Sequence, residues 1–577
     1  MSRLGAPLSL ISRLPTVMRT IAHLRPRQAR AQLRHALFGL PSPMVAFGSS
    51  PILAIERPHT PFLAPPAHVK RLDEERIEMI GTAIEIDLPI DWESDAGGPL
   101  FAYHLHQHEA LRFPEFSPRA RAAILCDWIQ NHPTGVGWNP HPISLRLLCW
   151  GKILLTPGFL ELESEARDDL LRSMASQAQT LASGLEIRLQ ANHLLSNQIA
   201  VVFAGLLLDG SASPAWRNLA SDLLAELDSQ IRPDGGHEER SPMYHSQLLE
   251  NLLDLLNLCR SSDPARVPMG LEAGLCETLE RMLSALEPLT HPDGEIALFA
   301  DSAFGIAAKP KALADYAARL GLSRSAGALT SAASPTGTDA STGSRLLPQT
   351  GYLRLHNGSF DLIASVGGPS PRHQPGHAHC DALSFELSVA GHRLVTDTGL
   401  FEYRPGRRRD LARCTDSHAT IGFDGTEQAE VWSAHRVGGR PSVELTAWNE
   451  SGSAEATCCG WSRGAPLHRR FFSLEPSLAT IVDVVEGSFG HARSILPIDP
   501  TWRVVLDSGH ARATRESASG EASIVEIELA ECFEWLLERR FYYPTFGSEV
   551  ERFVLVGTAT GPSLGPGPAT TRFRLVG

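Results

Sequence analysis

The chain reads as an α+β protein built in two parts, a helical first half and an antiparallel β second half. Two patterns carry this expectation. From about residue 70 to residue 325, apolar residues recur at three- and four-residue spacing in segment after segment, the period of amphipathic helices. After Gly343 the period changes to two, in short runs broken by Gly, Asn and Asp, as strands require. Length agrees, because 577 residues exceed what one hydrophobic core holds and imply about two to four domains.

The elements follow in order. Residues 1–60 form an N-terminal extension. Arg3, "LGAPLSLIS" and Arg13 make a poor signal peptide, since the apolar core is short and no small-residue cleavage site follows. "LRPRQARAQLRHALFGL" reads as a basic amphipathic helix, expected to pack on the main domain in preference to the alternative of membrane contact. Residues 61–325 carry "RAAILCDWIQNH", "SLRLLCWGKILL", "HLLSNQIAVVFAGLLL", "WRNLASDLLAELDSQI" and "YHSQLLENLLDLLNLC", separated by turns such as "RPDGGHEERSP" and "THPDGE", so antiparallel helix pairs are expected. The stretch "AGALTSAASPTGTDASTG" places a linker at 326–345. Residues 346–577 carry "GYLRLHNGSFDLIASVG", "LSFELSVAGHRLVTDTG", "LHRRFFSLEPSLATIVDVVEG" and similar runs, the pattern of stacked antiparallel sheets.

Composition narrows the function. A hydrophobic content of 43% and a charged content of 20% are globular values, and no apolar run is long enough to span a bilayer. The net charge of −13 argues against nucleic acid as a partner. The one basic run, with Arg404, Arg407, Arg408, Arg409 and Arg413, is expected to be a solvated loop. Nine scattered cysteines form no disulfide framework and leave the redox compartment open.

Two stretches concentrate residues capable of chemistry. In "GHAHCDALSFELSVAG", Leu383, Phe385 and Leu387 alternate with polar residues; if that strand runs backward, His377 and His379 share a face. Asp397 and His418 are the nearby candidate ligands, and two His with one Asp suit zinc. A simple hairpin turning at Ala390–Gly391 sets Asp397 opposite Ser384 rather than beside His379. The site therefore needs a bend near His379 or a third segment. In the helical half, Asn192 and His193 open an apolar helix, where Asn192 reads either as a helix cap or as an amide facing a cleft. Tyr244 and His245 follow Ser241–Pro242, where a tyrosine packing on the next helix is the plain alternative to a reactive phenol.

Taken together and in this order, "NHLLSNQ", "DGGHEERSPMYH", "GHAHCDALSFEL" and "SHATIGFDG" resemble the heparinase II/III family of polysaccharide lyases. The resemblance implies an N-terminal incomplete (α/α) toroid followed by a C-terminal antiparallel multi-sheet β-sandwich domain. It implies that Asn192, with His193 beside it, neutralises a uronate carboxylate, that Tyr244 and His377 are catalytic, and that His379, Asp397 and His418 bind a structural divalent metal, expected to be zinc. Arg372, Tyr403 and Arg413 are taken as the substrate-contacting set. Tyr403 is the one phenol near "RRRDLARCTDSHAT", and Ala419 stands where many family members carry Asn after the last histidine. The expected partner is an acidic polysaccharide, and the expected location is a bacterial periplasm or cytoplasm.

These residue types suit β-elimination at a 4-linked uronate. The C5 proton is hard to remove because the adjacent carboxylate resists further negative charge, which an amide can offset by hydrogen bonding. Tyr244 suits the acid at the leaving O4 and can serve as base as well where the C5 proton and O4 are syn, whereas His377 is the natural base where they are anti. The rival expectations are a non-catalytic glycan-binding or assembly protein and a metal-dependent hydrolase.

Overall fold

The computed structural model describes residues 10–39, 42–44, 50–73, 75–94, 96–322, 343–516, 522–561 and 567–576. The expected linker lies outside the described residues as far as 342, and the first strand of the β domain starts at Arg345. The architecture is a helical lobe of the incomplete toroid type, followed by an antiparallel multi-sheet β domain.

Two helices open the chain, α1 (Leu10–Ile21) and α2 (Pro26–Phe38), the second covering the expected basic amphipathic segment. The helical lobe is centred on Ala191–Leu207. That helix is buried around nearly its whole circumference, because its sequence is apolar on every side. Helices Pro140–Leu155, Ser164–Ser183 and Pro242–Ser261 pack against it. Among the described residues no helix is long and apolar enough to cross a membrane.

The helical expectation fails at its N-terminal edge. Val69–Arg71, Arg76–Met79 and Thr82–Glu85 form a three-stranded antiparallel sheet, with Ile77 opposite Ile84. "RIEMIGTAIE" alternates with period two around a turn in which Ile80 and Gly81 have φ of 44° and 78°. A turn with two positive φ angles matches the twist of a hairpin.

The β domain contains a five-stranded meander from Arg345 to Val395, an eight-stranded sheet and a four-stranded sheet. The meander strand Phe385–Val389 is buried on both faces. Its apolar face meets the eight-stranded sheet, where the Phe385 ring lies 6.1 Å from Phe472 and 6.4 Å from Phe573. Its polar face does not meet water. Glu386 and Ser388 bond the two nitrogens of His291 in the helical lobe, each at 2.9 Å. The period-two pattern was legible, but here the polar face is the seam between lobes. Apolar packing continues that seam through Ala285, Leu289 and Phe299 against Leu347, Tyr352 and Ile363.

The hairpin turns at Ala390–Gly391 as expected, with a bulge between Arg393 and Val395. The backward strand extension does not occur. The strand starts at Phe385, and a turn with Leu383 at φ 59° redirects the chain that carries His377 and His379. Arg470, on the eight-stranded sheet, fixes this turn from behind. It donates to Leu383 O at 2.8 Å and Ala419 O at 2.5 Å, and it pairs with Asp483 through Nε at 2.6 Å.

Replacing Arg470 with Met is expected to cost about 3–5 kcal/mol, because Asp483 loses the guanidinium that neutralises it in a buried place; urea titration measures it. Burial works to raise Asp483, but Arg470 and His468 hold it at about 2 against an ordinary 3.8. A depressed carboxylate contributes stability that is complete above 3.8 and lost as pH falls through about 2. Asp483→Asn should remove that acid limb from the stability–pH profile.

Candidate active site

Asp301 organises the site, and the sequence reading did not single it out. It lies in the helical lobe after "EIALF", is fully buried, and meets three side chains of the β domain. His377 Nδ1 is 2.7 Å from Asp301 Oδ2, and His379 Nε2 is 2.8 Å from Asp301 Oδ1. The Arg409 guanidinium donates to both oxygens. Burial by itself raises an aspartate; Arg409 and the two imidazole bonds outweigh it and hold Asp301 well below its ordinary value. An ionised carboxylate only accepts, so each imidazole must place its proton on the nitrogen facing Asp301. In the neutral form of each ring the lone pair then sits on Nε2 of His377 and on Nδ1 of His379.

Tyr244 stands beside His377, with ring centroids 4.4 Å apart. It sits in the first turn of Pro242–Ser261, whose cap is Ser241: the Ser241 hydroxyl accepts from Tyr244 N at 3.1 Å and donates to Asp301 O at 2.7 Å. One residue thus caps the helix and ties it to the backbone of Asp301. The Tyr244 and Tyr403 hydroxyls are 2.7 Å apart. Burial pushes both phenols up, so both are protonated near neutral pH. Tyr403, which the sequence associated with substrate, lies in the same cluster as Tyr244 and His377.

Asn192 faces the same point from the start of Ala191–Leu207. It does not cap that helix: Gln190 occupies the cap position, without a side-chain cap bond. Gln190 and Ala191 hold φ of 58° and 50°, strained values for residues with a Cβ, and the bend they make directs Asn192 inward. Asn192 Nδ2 donates to Glu239 Oε2 at 2.8 Å and lies 3.5 Å from His377 Nε2. Burial raises Glu239 above its usual range, against His377, His193 and Asn192. His193 turns to Glu186 at 3.1 Å. Burial lowers His193, but Glu186 outweighs that and raises it.

His379, Asp397 and His418 do come together, through the bend and the third segment that strand pairing lacked. Their candidate ligand atoms all lie within 4.8 Å of one another. His418 Nδ1 bonds Asp397 Oδ2 at 2.8 Å, while His379 Nδ1 and His418 Nε2 are buried without partners. Two orphaned imidazole nitrogens beside a carboxylate fit a divalent cation with a taste for nitrogen donors.

Two expectations need correction. Arg413 is not available to substrate. It is 2% exposed and spends its donors on the carbonyls of Ala378, Ser433, Ala434 and Arg436. The basic run is not uniformly solvated either, since Arg409 and Arg413 are buried in the short helix Arg407–Arg413. Arg372 is exposed, and its carbonyl accepts from Arg440 at 2.8 Å. Besides Asp301 and Arg409, the reading missed Glu239, which lies inside "DGGHEERSPMYH", and His435, whose ring is 6.1 Å from His377 and 5.1 Å from Tyr403. Asp301 left one signal, an acid embedded in the apolar run "IALFADSAFG", where an unpaired charge is too costly to persist.

Comparison with known proteins places the fold. Residues 116–318 match the model of the heparinase II/III N-terminus, and residues 339–541 match the heparinase II/III-like C-terminal model. The chain belongs to the heparinase II/III family. Among solved structures, heparinase III aligns with a TM-score of 0.64 at 17% identity, over 97% of this chain and 94% of that one. The heparan sulfate lyase of Pedobacter heparinus aligns with a TM-score of 0.54 at 17% identity, over 88% and 81%. The chondroitin AC lyase of Streptomyces coelicolor A3 follows at 0.52 and 12%, over 96% and 79%. At these identities the likeness is one of fold, the fold of polysaccharide lyases. A curated relative, FtsZ-localized protein C of Caulobacter vibrioides, is 25% identical over 473 residues, 77% of this chain and 74% of its own length.

Asp301→Asn should destabilise the protein by about 3–5 kcal/mol, because Arg409 is then buried without a counter-charge. Denaturant unfolding measures this without any substrate.

Proposed function

We propose that the protein is a polysaccharide lyase that cleaves an acidic, uronate-containing polysaccharide by β-elimination. The observation that carries this reading is the convergence of Asn192, Tyr244 and His377 from two lobes onto one point, with His377 oriented by Asp301. His377 Nε2 takes the C5 proton. Asn192 hydrogen-bonds the uronate carboxylate and stabilises the charge that builds up on it. Glu239 accepts from the Asn192 amide and holds it in place. Tyr244, protonated and paired with Tyr403, delivers a proton to the leaving O4.

The arrangement also supports a stereochemical choice. Tyr244 and His377 stand side by side at 4.4 Å, so base and acid approach one face of the sugar ring. That favours syn elimination, in which the C5 proton and O4 lie on the same face, as in glucuronate and mannuronate. Their C5 epimers, iduronate and guluronate, present the two groups on opposite faces.

His379, Asp397 and His418 hold a divalent cation in this reading, zinc by their donor types. When bound, the ion stiffens the β-domain wall that carries His377. A hydrolase using this set to activate water is disfavoured by burial: the three residues are 1%, 1% and 0% exposed, so a glycan does not reach them. The curated relative is named for its localisation with FtsZ rather than for a reaction, which makes a non-catalytic role the rival. The convergence of amide, phenol and imidazole on one point favours catalysis.

A panel of glucuronate, mannuronate, iduronate and guluronate polymers, followed by ultraviolet absorbance of the C4–C5 double bond, tests the proposal. Unsaturated ends are expected from the first two; fragments carrying added water instead reject elimination. Tyr244→Phe should lower turnover roughly 10²-fold or more with folding preserved. His418→Ala, which leaves the Asp301 bonds untouched, should lose near-stoichiometric metal by elemental analysis and lower the melting temperature.

A further inference from the structure

Glu186 is a second carboxylate buried in the helical lobe, and its neighbours differ from those of Asp301. It lies in the loop between the helices Ser164–Ser183 and Ala191–Leu207, and its side chain is 4% exposed. A carboxylate so far from water needs a counter-charge. Asp301 obtains one from Arg409. Among the described residues no lysine or arginine lies within ion-pair distance of Glu186; its partner is His193, at 3.1 Å.

A second imidazole stands beside that pair. His141, in the first turn of Pro140–Leu155, has its ring centroid 4.5 Å from that of His193. Its Nδ1 is buried without a hydrogen-bond partner. Candidate ligand atoms of His141, Glu186 and His193 all lie within 4.8 Å of one another. Two imidazoles and a carboxylate form a zinc-type donor set. A proton shared between Glu186 and His193 satisfies those two and leaves His141 out, whereas a cation at their common point gives all three a partner.

The cradle is braced from behind. Asn197, fully buried one turn beyond His193, donates to Glu186 Oε2 at 3.3 Å and to Ser144 Oγ at 2.9 Å, while its Oδ1 accepts from Glu186 N at 2.8 Å. Ser144 shares a helix with His141. One amide therefore links the three segments that carry the ligands, the outer support that ligating side chains need. Unlike the His379, Asp397 and His418 set, this cluster reaches solvent: the His193 side chain is 29% exposed and His141 is half-buried. His193 directly follows Asn192, whose amide lies 3.5 Å from His377 Nε2. Three protein donors with a solvent-facing side leave a coordination position open.

We propose that His141, Glu186 and His193 form a second divalent-cation site, zinc by donor type, and that its open position takes the carboxylate of the bound uronate. The ion supplies positive charge where Asn192 supplies a neutral amide. The cation site rests on its own geometry; the carboxylate role rests on the lyase reading.

Elemental analysis of zinc-loaded, gel-filtered protein tests the site without substrate. About two zinc ions per chain are expected in the wild type, and about one in either His418→Ala or His141→Ala. The His418→Ala protein has lost the β-domain set and keeps the Glu186 cluster, so its zinc reports this site even where His141→Ala does not fold. A His418→Ala protein, folded by circular dichroism, that holds no zinc overturns the proposal. So does a folded His141→Ala protein holding as much zinc as the wild type. Calorimetry with a short saturated glucuronate oligosaccharide, on His418→Ala with and without zinc, reads the carboxylate role. Zinc should tighten binding roughly tenfold or more; equal affinity overturns that role. Absence of unsaturated product from every polymer, with zinc-dependent binding present, overturns the lyase reading and leaves the cation site standing.

Discussion

The structure depends on one buried carboxylate serving two imidazoles at once. Asp301 belongs to the helical lobe, yet His377, His379 and Arg409 all come to it from the β domain. A charge fully removed from water survives where it is neutralised and hydrogen-bonded, so the lobes cannot separate at this point without exposing an unpaired ion on each side. The same contact sets the tautomer of both histidines. One ionic interaction therefore holds the seam, orients the imidazole beside Asn192 and Tyr244, and frees the nitrogen that faces His418.

Around that centre the fold accepts local strain. Gln190, Ala191, Arg240 and Leu383 all adopt positive φ without being glycine. Each flanks a residue that must face the seam: Asn192 follows Ala191, and Leu383 bends the chain that carries His379. Arg240 donates to Gly351 O at 2.9 Å and Ser365 at 3.0 Å across the lobes, directly before the cap that positions Tyr244. Such conformations cost about 1–3 kcal/mol each and persist where surrounding contacts over-determine them. For Arg240 those contacts cross the lobes, for Leu383 they come from Arg470 within the β domain, and for Gln190 from Arg25.

Helix and strand periods were legible because each depends on neighbours close in the chain. The helix around Val201, the meander and the hairpin at Ala390–Gly391 were all readable in that way. The sheet at 69–85 was missed even though its alternation is present, because short strands embedded in a helical half yield to the longer pattern. Arg413 was misassigned for a different reason. Sequence shows a guanidinium but not the four backbone carbonyls that fold around it.

The sequence by itself determined the two-part architecture and the residue types of the candidate site, through periodicity and four short motifs. The tertiary structure decided which of those residues meet. Asp301 is 76 positions from His377, and Tyr244 is 159 from Tyr403. No local pattern encodes a pairing across such distances, because it is fixed by how two separately folded lobes dock. The orphaned nitrogens of His379 and His418 likewise emerge after docking, when one nitrogen of each ring has been claimed by a carboxylate and the other has been sealed from water.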